Sequence, residues 1–127
     1  MKIFVRFLSI IFLLSLFAVF SSSVSAEEIN LFNSQIVAHK DGTINITETI
    51  DYNFGDLFRH GIFRDIPKTA KVGDLLRVMG FEVKQITRDG RSETYQDNSD
   101  SNKLSLKIGN ADKTITGKHI YKISYLV

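Results

Sequence analysis

The stretch Thr43-Ile44-Asn45-Ile46-Thr47-Glu48-Thr49-Ile50-Asp51-Tyr52-Asn53-Phe54 decides how this chain folds. Ile44, Ile46, Ile50, Tyr52 and Phe54 fall on one parity; Thr43, Asn45, Thr47, Thr49, Asp51 and Asn53 fall on the other. A period of two is the pattern of a strand with one face in a core and one in water. Asp41-Gly42, just before it, is a hairpin signal, so Ile29 to His39 is the expected partner strand. The phase of that partner is not set by its pattern.

The same alternation recurs downstream. Leu104, Leu106 and Ile108 alternate with Lys103, Ser105 and Lys107, and Tyr121, Ile123, Tyr125 and Val127 share one face of the last segment. Leu75 to Arg88 is apolar at 76 and 78, then at 81 and 83, so its phase slips at Gly80, which predicts a bulge or bend. Asp89-Gly90 is a second hairpin signal leading into Arg91 to Gln96, and Asp97 to Asn102 is a polar loop. No segment sustains a 3.6-residue period. Six or seven strands at this spacing predict an all-β fold, an antiparallel β-sandwich of generally immunoglobulin-like architecture.

The first 26 residues read as a leader rather than as fold. Lys2 and Arg6 precede an uncharged apolar run of 14 residues, Phe7 to Phe20, and Val24-Ser25-Ala26 is a small-x-small cleavage site. A bilayer span needs about 20 residues. The expectation is a signal peptide over 1–26 and an extracytoplasmic domain over 27–127. Removing Lys2 and Arg6 leaves 14 basic against 14 acidic residues, so the mature chain has no formal net charge despite a pI near 8.9 for the whole. No positive field remains to recruit nucleic acid. The chain has no cysteine, which excludes a disulfide framework, a thiolate nucleophile, a Cys-ligated zinc and a lipid-modified N-terminus. The sequence stops inside an apolar strand, Tyr125-Leu126-Val127, and a domain usually ends at a surface. That ending predicts the front of a longer protein, with a sandwich cut short and the strand 118–127 left as an open edge.

Glu48 is the anomaly of the opening stretch, because it sits on the apolar parity between Ile46 and Ile50. A carboxylate there must be paired or lose its charge. The candidate partner is Arg64, set among apolar residues in Arg59-His60-Gly61-Ile62-Phe63-Arg64-Asp65-Ile66-Pro67. A charge-assisted Glu48–Arg64 pair would hold the 55–67 loop against the sandwich. The alternative makes Glu48 a general acid or base, with His60 and Asp65 beside it. His60 also reads as a loop histidine capping a backbone group, since nothing in the spacing of His39, His60 and His119 suggests convergence on a metal. Pro67 would hold Ile66 extended at the exit of the loop. No calcium loop, phosphate-binding loop or nucleophile elbow is present. Asn45-Ile46-Thr47 is a formal glycosylation sequon on the outward face.

Asp41-Gly42-Thr43-Ile44-Asn45-Ile46-Thr47-Glu48, then Tyr52 and Phe54, then His60-Gly61-Ile62-Phe63-Arg64-Asp65-Ile66-Pro67, then Ile108-Gly109 and Thr116 to Tyr125, resemble the N-terminal region of bacterial membrane proteins grouped as domain of unknown function 2207. The resemblance covers Ile29 to Val127. It implies a signal sequence, an extracytoplasmic β-rich domain and transmembrane segments missing from this chain, in the cell envelope. It carries over no catalytic residue, no metal and no cofactor. Glu48, His60, Gly61, Arg64, Asp65 and Pro67 are its signature positions here, read as structural. The leading expectation is a non-catalytic module that contacts an envelope protein or ligand. Two others stand beside it: an enzyme using Glu48, His60 and Asp65, and a small secreted binding protein complete as given.

Overall fold

The computed structural model describes residues 26–127; the leader read over 1–26 falls almost wholly outside them. Among the described residues every regular element is a strand: β1 (Glu28–Ala38), β2 (Ile44–Asn53), β3 (Ile62–Pro67), β4 (Thr69–Val72), β5 (Leu75–Val78), β6 (Glu82–Arg88), β7 (Arg91–Ser92), β8 (Tyr95–Asp97), β9 (Lys103–Ile108) and β10 (Lys118–Leu126). A five-stranded sheet runs β1-β2-β10-β6-β7 and a three-stranded sheet runs β3-β9-β8, while β4 and β5 form a hairpin of their own. All pairings are antiparallel. The fold is an all-β sandwich. No helix among the described residues is long and apolar enough to cross a membrane.

The alternation of β2 places Ile50 in the core, with Phe54 just past the strand's end. Tyr121, Ile123 and Tyr125 of β10 and Ile86 of β6 extend the layer, and Ile62, Leu104, Leu106 and Ile108 of the small sheet close over it. Asp89 and Gly90 have φ of 52° and 77°, the two positive values of a type I′ turn, which matches the twist of the β6–β7 strands it joins.

The structure corrects the sequence reading in four places. First, β10 is not an edge: it lies between β2 and β6 and pairs with both. Local alternation records a strand's faces and not its neighbours, so its place in the sheet was invisible. Second, Ile62–Pro67 is a strand rather than loop, the edge of the small sheet, paired with β9 from Ile62↔Ile108 to Pro67↔Lys103. A proline, lacking an N–H, is tolerated at such an edge. Third, Leu75 to Arg88 is two strands in different sheets, broken at Met79–Phe81 around Gly80. Fourth, Arg91 to Gln96 changes sheet at Glu93–Thr94, so β7 extends the large sheet and β8 the small one.

Candidate functional site

The two sheets are joined by charge as well as by apolar packing. Glu48 projects from β2 into the core and is only 2% exposed. Arg64 projects from β3 on the same face as Ile62 and Ile66, between the layers. Its Nε donates to Glu48 Oε2 at 2.7 Å and its Nη2 to Oε1 at 2.7 Å, a bidentate pair. Tyr125 of β10 donates its hydroxyl to Oε1 at 2.9 Å. Arg64 Nη1 donates to the carbonyl of Asp65 at 2.7 Å, and the guanidinium carbon lies 5.3 Å from the Phe32 ring centre on β1. Both carboxylate oxygens and all three guanidinium nitrogens are therefore engaged, and β1, β2, β3 and β10 meet at one point.

The electrostatics follow from this enclosure. The hydrogen bonds Arg64 donates to Glu48 lift its guanidinium above its ordinary value, against the opposing pull of burial. Burial, and then the bond to the Glu48 carboxylate, push the Tyr125 hydroxyl well above the usual tyrosine range. Tyr121 is pushed up as well, chiefly by burial, and its hydroxyl has no hydrogen-bond partner among the described residues.

The remaining signature positions lie around this pair without joining it. Asp65 points to the opposite face of β3, where it accepts from Lys103 Nζ at 2.7 Å and Ser105 Oγ at 2.6 Å. Those bonds, Lys103 first, hold its carboxyl below the usual aspartate value. His60 Nδ1 lies 3.0 Å from the carbonyl of Lys113. Glu48, His60 and Asp65 thus have three separate sets of partners and do not converge on a common reacting position. The described residues hold no cluster of three potential metal ligands. His39 bonds Asn45, and His119 faces Asp89 and the Thr116 carbonyl, so the histidines do not meet.

Gly61 has a reason that chemistry does not supply. At φ +144° it lies against Gly109 at φ +132°, where the β3–β9 ladder begins. A Cβ on Gly61 would stand 1.8 Å from the Ile108 carbonyl oxygen, and one on Gly109 would stand 1.9 Å from that of His60. Only two facing glycines allow the strands to approach there. Pro67 ends β3, and the β4–β5 hairpin follows directly.

Sequence reasoning missed an open depression of about 470 Å³ lined by His60, Arg88, Asp89, Arg91, Glu93 and Lys113. These residues come from three separate chain segments, so no local pattern marks them. Its central cation is already spent: Arg88 is paired with Glu93 and Asp89.

The most distinctive residues of this antiparallel sandwich, Glu48 and Arg64, are taken up in a bond between its two sheets. Residues 28–127 match the sequence pattern described as "Predicted membrane protein (DUF2207) N-terminal domain", and the chain belongs to that family. No curated protein and no solved structure matches it.

Proposed function

We propose that this chain is an extracytoplasmic, non-catalytic module of a membrane protein that works by contact with an envelope protein or ligand. Membership of a membrane-protein family and the leader-like pattern of residues 1–26 support the location. The observation that carries the contact is the β4–β5 hairpin. Leu76 and Val78 lie on one of its faces and Val72 and Leu75 on the other, all 55–70% exposed. A hairpin apolar on both faces is unlike the solvated loops of a self-contained domain and marks a surface built to be covered. The ionisable signature residues are already used internally, which leaves this projection as the reactive part of the surface.

The test has two parts. Intact cells stripped of any outer barrier are treated with protease and fractionated, and a photo-crosslinking residue is placed at position 76 and, as a control, at 107. The proposal expects a membrane-associated band cut from outside and an adduct at 76 but not at 107. A protease-resistant cytoplasmic band refutes the location. An exposed protein with no adduct at 76 refutes the contact.

A further inference from the structure

The outer edge of β1 is a second apolar surface, on the far side of β2 from the rest of the large sheet. Among the described residues no strand pairs with it. Natural edges are blunted by shortness, by inward charges or by proline. The opposite edge of the same sheet, β7, is two residues long and begins with Arg91. β1 has 11 residues, with no proline and no charged side chain between Ile29 and Ala38, and no residue of it is buried.

The direction of its free hydrogen-bonding groups can be worked out. Ile44 exchanges both of its main-chain bonds with Val127, each 2.9 Å, so its N–H and C=O face β10. Ala38, directly across from Ile44, therefore turns its own groups away from β2, and alternation gives the same outward direction to Ile36, Ser34 and Phe32. His39 donating to Thr43 at 2.8 Å closes the hairpin on the other parity, as that assignment requires.

The side chains along this edge are arranged as a palindrome. Leu31-Phe32-Asn33-Ser34-Gln35-Ile36-Val37 has a polar centre flanked by apolar pairs, with Glu28 beyond one end and Lys40 beyond the other. An antiparallel copy of the strand placed across a two-fold axis at Ser34 sets Phe32 against Ile36 and Leu31 against Val37. That register keeps paired residues on the same face, as an antiparallel ladder demands, and uses only the outward-facing groups of Phe32, Ser34 and Ile36, giving about six main-chain bonds. The register stops short of the bulge between Ile29 and Leu31 and brings no charged side chain within it.

From the free edge, the palindrome and the absence of charge within it, we infer that β1 pairs with β1 of a second copy of this chain, joining two five-stranded sheets into one continuous sheet about a two-fold axis at Ser34. This surface is separate from the β4–β5 hairpin, so the inference holds whether or not that hairpin meets a partner.

The absence of native cysteine makes the test direct. The full chain carrying Ser34→Cys is oxidised mildly, in cells and after purification, beside Gln35→Cys. Residues opposed across the axis in a hydrogen-bonded pair are about 5.5 Å apart at Cα, within disulfide reach. The expected result is a covalent dimer for Ser34→Cys and little for Gln35→Cys. Three results overturn the inference: natively folded Ser34→Cys that stays monomeric at about 100 μM, a far higher value than most Kd for obligate pairs; cross-linking no greater than that of Gln35→Cys; or an adduct of Ser34→Cys with a different protein.

Discussion

Replacing Arg64 with alanine removes two of the three hydrogen bonds to Glu48 and leaves a carboxylate 2% exposed with only the Tyr125 hydroxyl. Breaking a buried ion pair from one side costs about 3–5 kcal/mol, because the remaining charge is stranded. The Arg64 side chain keeps 25% of its exposure against 3% for Glu48, so water relieves part of the penalty and the lower end, about 3 kcal/mol, applies. For a domain near 100 residues this lowers Tm by about 12–24 °C. The chain has no tryptophan, so far-UV circular dichroism is the natural probe of melting. Arg64→Lys keeps the charge but loses the planar two-point geometry, and should fall between wild type and Arg64→Ala. Glu48→Leu combined with Arg64→Met replaces the pair by apolar volume and should recover most of the loss. If Arg64→Ala melts within about 1 kcal/mol of wild type, or if the double variant is no better than the single one, the bond between the sheets is not what holds β3 against β2.

Other outcomes follow from neighbouring contacts. Gly61→Ala forces a Cβ into the Ile108 carbonyl, and should cost about 2–4 kcal/mol in urea unfolding; Gly90→Ala, with open space around it and φ +77°, should cost only about 1 kcal/mol. Tyr125→Phe deletes one hydrogen bond to Glu48 while sparing the ion pair, for a loss of about 1–2 kcal/mol by the same assay. Tyr121 and Tyr125 are both raised in the folded state, so their contribution is complete below the unfolded tyrosine value of about 10 and is lost as pH rises through the folded values; melting temperature followed from pH 9 upward, at ~0.5-unit steps, should fall only above that unfolded value, and less steeply in Tyr125→Phe. On the acid side, burial alone would raise Asp89, but the Ile120 amide and His119 outweigh it, and Ser99 and the amides of Asn102 and Lys103 lower Asp97 and Asp100. Their stabilisation is present above the unfolded aspartate value of about 4 and should disappear as pH falls through the lower folded values, which acid titration by circular dichroism would read.

Much of this architecture was legible because β2 announces it. The alternation from Ile44 to Phe54 named the core face, and a carboxylate within that alternation stood out as something needing a partner. The Asp89-Gly90 signal translated directly into its turn. What stayed hidden was hidden for physical reasons. In β3 the inward set is Ile62, Arg64 and Ile66, and the arginine breaks the apolar count that would have marked a strand. In β1 a bulge between Ile29 and Leu31 shifts the phase, and both faces carry apolar residues. The surroundings of Glu48 draw on Phe32, Arg64 and Tyr125, residues separated by most of the domain, and only the order of strands brings them together.

That order also sets when the domain can exist during its own synthesis. The strand between β2 and β6 is the last one in the described sequence, so a growing chain that has emerged only as far as Thr116 holds an N-terminal hairpin and a short downstream ladder with nothing to bridge them. Glu48 at that stage lacks Tyr125, and the Ile123 and Tyr121 layer is missing from the core. Nucleation cannot proceed from the ribosome-distal end in the manner of a repeat array. It waits for the arrival of nine residues, after which both halves close in one step of long sequence separation, on the order of milliseconds to seconds for folds of this kind.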